Sequence, residues 1–90
     1  MNKTDLIQLV ADKAALSKKD SEKAVNAALD GIMETVAAGE RVQIIGFGTF
    51  EKRDRAEKMG RNPSTGEQIR IPATSVPAFK AGKGFKERMK

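Results

Sequence analysis

A chain of 90 residues is the length of one domain. It contains no Cys and no His, which excludes a disulfide framework, thiolate chemistry, the usual neutral-pH proton shuttle and the commonest metal ligand. The net charge of +5 is unevenly placed: residues 1–40 hold five Lys against seven acids, and residues 41–90 hold twelve Lys and Arg against five acids. The second half is therefore the one suited to a polyanionic partner.

The first element is a short helix, marked by Leu6, Ile7, Val10, Ala11 and Ala14 at helical spacing. Asn2 or Thr4 can cap it, and Asp5 suits the positive end of its dipole. A break falls at Ala15-Leu16. Ser17-Lys18-Lys19-Asp20 then reads as a loose capping box. It opens a helix of about twenty residues, with one wide apolar stripe of Ala24, Val25, Ala28, Leu29, Ile32, Met33 and Val36. Gly39 stands where a left-handed C-terminal cap belongs. Helices joined this closely should form an antiparallel or V-shaped pair. No apolar run approaches the roughly 18 residues that cross a bilayer, and the MNKTDLI start has no long apolar core of a secretory signal. A soluble cytoplasmic protein is expected.

At Glu40 the apolar period shortens from 3.6 to about two. Arg41 to Ile45 reads as a strand, Gly46-Phe47-Gly48 as a turn, and Thr49 onward as a second strand reaching about Met59. Asn62-Pro63-Ser64-Thr65-Gly66 is a dense turn signal. Glu67 to Pro72 reads as the returning strand, held to an edge position by Pro72 and Pro77. A short basic helix, Phe85 to Lys90, follows Gly82-Lys83-Gly84.

The segment from Lys52 to Arg70 is too polar to lie on a core. It carries basic residues at 52, 53, 55, 58, 61 and 70, and its only large apolar residues are Met59 and Ile69. It should project as a two-stranded ribbon, mobile until bound. Arg53 and Arg55 share one face by strand alternation, and guanidinium forks suit phosphates and minor-groove acceptors. Asn62 can hydrogen-bond there as well. Pro63 has two readings: a residue whose φ fits a turn, or a rigid apolar wedge that enters a base step. Gly46-Phe47-Gly48 lacks the rest of a dinucleotide fingerprint and reads as a hairpin turn. Phe47, Phe50, Phe79 and Phe85 read as core rather than as stacking platforms for bases. The carboxylates form neither a metal cluster nor an acid/base pair. An enzyme is not expected, nor a cofactor or small-molecule substrate.

Gly46-Phe47-Gly48-Thr49-Phe50, Gly60-Arg61-Asn62-Pro63-x-Thr65-Gly66, Ile71-Pro72-Ala73 and Phe79-x-x-Gly82-Lys83 together resemble the family of bacterial histone-like proteins that contains HU and integration host factor. The resemblance covers essentially the whole chain. It implies an α+β fold in a single domain over residues 1–90. Residues 1–40 would be a helical hairpin used for dimerisation. Residues 41–80 would be a three-stranded antiparallel sheet with a long protruding β-arm at about 53–76, and residues 81–90 a short C-terminal helix. The assembly implied is an intertwined homodimer, or a heterodimer with a paralogue. The function implied is a nucleoid protein that binds double-stranded DNA through the minor groove with little sequence specificity. It would bend, wrap and stabilise DNA and prefer distorted or nicked duplexes. Pro63 becomes the intercalating wedge, as in other minor-groove architectural proteins. Arg53, Arg55, Lys58, Arg61, Asn62 and Arg70 become arm contacts, and Lys3, Lys80, Lys83 and Lys86 contacts from the body. Met59, Glu57 and Gly84-Phe85 depart from the family pattern. Gly84 would cost a helix up to about 1 kcal/mol against Ala. A sequence-specific factor and an RNA-binding or protein-interaction module are the rival readings.

Overall fold

The computed structural model describes all residues, Met1–Lys90. The chain divides into two compact units, Met1–Glu34 and Thr35–Lys90. In the first, α1 covers Lys3–Ala14 and α2 begins at Lys18 and runs on to Ala37. Asn2, not Thr4, caps α1. Its side-chain oxygen accepts from the Asp5 N–H at 2.9 Å, and the Asp5 carboxylate accepts from the Asn2 N–H at 3.2 Å, a reciprocal capping box. Ala15 ends α1 in the left-handed region with φ 55°. The Ser17 hydroxyl accepts from the Asp20 N–H at 3.0 Å and starts α2. The buried positions are Ile7 and Ala11 on α1 and Ser21 and Val25 on α2, four residues apart in each case, so each helix buries one narrow stripe. Ser21 is fully buried and its hydroxyl has no partner.

In the second unit, α2 ends in a Schellman motif. Gly39 has φ 93°, its N–H donates to the Val36 carbonyl at 2.9 Å, and the Glu40 N–H donates to the Thr35 carbonyl at 3.1 Å. β1 (Val42–Ile44), β2 (Gly48–Arg55) and a strand at Thr74–Ala81 form an antiparallel sheet with β2 in the middle. Between them in sequence, β3 (Lys58–Arg61) and β4 (Gln68–Ile71) pair only with each other, so the strand at Thr74–Ala81 is β5. A helix, α3, covers Lys83–Glu87. No helix is long and apolar enough to cross a membrane.

Four boundaries differ from the sequence reading. The second strand ends at Arg55 rather than near Met59. The returning strand ends at Ile71, and a separate strand, β5, supplies the third member of the sheet. Pro72 explains the break, because it has no N–H to donate to a ladder. Pro77 lies inside β5, opposite Lys52, and is tolerated because β5 is an edge strand. Gly48 belongs to β2, so the β1–β2 turn is Ile45-Gly46-Phe47, closed by the Phe47 N–H to the Ile44 carbonyl at 3.0 Å. Finally, α3 starts at Lys83, which places Gly84 inside it.

Candidate nucleic-acid interface

Strand alternation sorts the second unit into two chemically different faces. On one face of the sheet, Phe50 and Phe79 face each other across β2 and β5, with ring centroids 4.8 Å apart. Phe47 joins Phe79 and Phe85 at 5.4 Å each, so all four phenylalanines form one cluster. The rings pack against one another and none lies on the arm, but none is buried within the single chain, and Phe47 and Phe79 are each 42% exposed, so their reading as core is not met by one chain alone.

The opposite face of the sheet is ionic. Glu51 sits there with Arg53 two residues on, Lys80 on β5 and Arg41 before β1. Its carboxylate lies 3.4 Å from the Arg53 guanidinium, 3.4 Å from the Lys80 ammonium and 3.5 Å from the Arg41 guanidinium. The Glu51 side chain is only 15% exposed, while the three cations are more than half exposed. Burial pushes the Glu51 carboxyl up, but Lys80, then Arg41 and Arg53, outweigh it and hold the group below its ordinary value.

The pairing register passes along the arm unshifted. Arg55 faces Thr74 at the end of β2, and Lys58 faces Ile71 three residues further along each strand. Ala56, Glu57, Pro72 and Ala73 interrupt the ladder without inserting a residue. Alternation therefore continues, and Arg53, Arg55 and Arg61 fall on one side, with Arg70 and Lys80 across the ribbon from them. The ion pair between Arg70 and Glu57 bridges the two strands on that side. Lys58 falls on the other side, opposite Ile71. There Gly60 leaves room for Ile71, whose Cδ1 lies 2.8 Å from where a Cβ on residue 60 would be. Ile69 also approaches this position, with its Cγ1 at 3.9 Å.

The tip is built by Asn62. Its backbone N–H donates to the Glu67 carbonyl and its carbonyl accepts from the Gly66 N–H, both at 2.7 Å. Its side-chain oxygen accepts from the Ser64 N–H at 2.8 Å, an Asx turn around Pro63. Thr65 Oγ1 accepts from the Glu67 N–H at 3.3 Å. Pro63 is exposed at the apex with its backbone fixed on both sides. Sequence reasoning gave Asn62 to the ligand; the structure shows its oxygen already engaged in shaping the turn. Of the body lysines, Lys83 and Lys86 are exposed on α3 and Lys80 on β5, while Lys3 is exposed in the first turn of α1 in the other unit.

The whole chain, residues 1–90, matches the model of the bacterial DNA-binding protein family. It is 63% identical over 89 residues to the DNA-binding protein HU of Lactococcus lactis, covering 99% of this chain and 98% of that one. It is 57% identical to the HU protein of Geobacillus stearothermophilus over the full length of both. Among solved structures, an Anabaena HU protein cocrystallised with DNA superposes with a TM-score of 0.92 at 49% identity, over 99% of this chain and 97% of that one. The HU protein of Thermotoga maritima superposes with a TM-score of 0.70 at 38% identity over the full length of both. The chain belongs to the bacterial DNA-binding protein family.

The family is one of DNA-binding proteins, not of enzymes. Three features of this family member escaped the sequence reading. Glu51 gathers three cations, Arg41 stands with the predicted cations on the ionic face, and Glu57 takes both forks of Arg70. Alternation alone could have placed Glu51 beside Arg53. Its link to Lys80 needed the β2–β5 register, and β5 is the strand the sequence pattern did not reveal.

Proposed function

We propose that this chain is a histone-like nucleoid protein of the bacterial cytoplasm that binds double-stranded DNA through the minor groove with little sequence specificity. The single observation that carries the reading is the arm: arginines on one side of a ribbon that buries almost nothing, leading to an exposed proline on a hydrogen-bonded turn. Arg53, Arg55 and Arg61 take phosphates and groove edges, Lys58 reinforces them from the other side of the ribbon, and Arg70 is a further cation on the arginine side that can join them when it leaves Glu57. The Asn62 amide nitrogen, unlike its oxygen, remains to donate to the groove. Pro63 enters a base step and unstacks it, and Lys3, Lys80, Lys83 and Lys86 hold the flanks of the bent duplex. The Anabaena HU protein, a structural relative, was crystallised with DNA, which supports the assignment of the partner.

The working unit is a homodimer in this reading. One chain leaves Leu6, Leu9, Leu29, Met33, Phe47 and Phe79 between 36% and 61% exposed. That is more apolar surface than a small domain leaves bare without a partner. A second copy that covers it supplies the second arm and the second proline.

Bending separates the wedge from a proline that merely fits its turn. In fluorescence energy transfer across a bound duplex, Pro63→Ala is expected to lose most of the end-to-end shortening while keeping most of the affinity. Unchanged shortening would remove the wedge role.

A further inference from the structure

Four of the cations assigned to the arm differ in what they touch. Arg55, Lys58 and Arg61 have no carboxylate partner, whereas Arg70 is fully engaged. Its Nη2 donates to Glu57 Oε2 at 2.8 Å and its Nε donates to Glu57 Oε1. This fork-to-fork geometry is the one a guanidinium uses for phosphate. Glu57 stands in the interruption of the ladder, opposite Pro72, so no strand pairing holds its backbone and its side chain is free to turn onto Arg70. The residue across from Arg70 in the ladder is Met59, which offers no charge. Both members of the pair are reachable from solvent, with side chains 72% and 44% exposed, so a polyanion can compete for Arg70.

We infer that Glu57 is a built-in competitor of DNA phosphate for Arg70, and that it sets how many phosphates each arm neutralises. The inference rests on the arm binding DNA. In the resting protein Arg70 is neutralised by its own chain, so the arm's unpaired cations, Arg55, Lys58 and Arg61, contribute to counterion release and Arg70 does not. The residue at position 57 then tunes affinity and salt dependence without touching DNA, and it is a positioning residue for Arg70.

The test is the salt dependence of binding to one intact duplex for the wild type, Glu57→Gln, Arg70→Gln and the double variant, with circular dichroism melting confirming that all four fold. Each phosphate contact adds about 0.9 to the slope of log affinity against log salt. Glu57→Gln is expected to steepen the slope by about 0.9 per arm and to tighten binding at low salt by up to about fivefold per arm. The double variant is expected to return to the wild-type slope, because Arg70 carried the gain. Arg70→Gln alone is expected to bind more weakly than wild type without a steeper slope, since it leaves Glu57 unpaired. If the double variant keeps the gain of Glu57→Gln, Glu57 repels DNA by charge alone and the competition is overturned. A wild-type slope already equal to that of Glu57→Gln would also overturn it, since Arg70 would then be on phosphate throughout. Absence of salt-dependent duplex binding by the wild type would instead bring down the DNA-binding reading itself.

Discussion

At the scale of single residues, Glu51 shows how a cation-rich face is held in order. Three like charges on one face of the sheet repel one another, and one carboxylate among them offsets that repulsion. Lys80 and the two arginines favour its ionised form and hold its pKa below the ordinary value of 4.5, against the opposing effect of burial. A carboxyl whose folded value is depressed contributes stability that is fully present above its ordinary value and lost as pH falls through its folded value. The thermal midpoint of the wild type should therefore drop more steeply below about pH 4.5 than that of Glu51→Gln, and the two should converge in acid. Parallel curves through that range would mean the network does not stabilise the fold. Nothing in the sequence singled out Glu51, because its partners Lys80 and Arg41 reach it only through strand register. Arg53 and Arg55, by contrast, were legible from alternation and charge and Pro63 as a turn residue from turn chemistry, while Arg61 entered as a contact through the resemblance; the structure brings the arginines onto one side and the proline to the apex.

At the scale of elements, punctuation decides what is legible. Both long helices were readable because apolar spacing agrees with their caps, Asn2 with Asp5 at one and Ser17 with Gly39 at the two ends of the other. β5 was not, because Pro77 interrupts its pattern and only its edge position makes that proline acceptable. The C-terminal helix carries the opposite lesson. Sequence reasoning treats Gly84 as a weakness. In the structure a Cβ at residue 84 would stand 2.7 Å from the Gly46 carbonyl oxygen, so the absent side chain lets α3 approach the β1–β2 turn. The same approach is held by the Gly82 N–H on the Phe47 carbonyl at 2.8 Å. Gly84→Ala, which in an open helix gains about 1 kcal/mol, is accordingly expected to lower the thermal midpoint and to loosen Phe85 from Phe47. A higher midpoint in differential scanning calorimetry would show that α3 shifts to make room.

At the scale of the whole molecule, one part of the protein holds and the other reaches. The apolar surface left by a single chain calls for a second copy, and the nearly coreless arm calls for a polyanion. Sedimentation equilibrium should find a dimer, and the thermal midpoint should rise with protein concentration; a folded monomer with a concentration-independent midpoint would contradict the shared core. The central claim is that charge supplies affinity while deformation of DNA supplies preference. Binding to intact, nicked and gapped duplexes of one sequence across a range of salt concentrations tests both parts together. Affinity should fall steeply and linearly with the logarithm of salt on all three, and at every salt it should be tighter on the nicked and gapped duplexes, where part of the unstacking cost is already absent. Equal affinity for the three duplexes, or affinity indifferent to salt, would contradict the account.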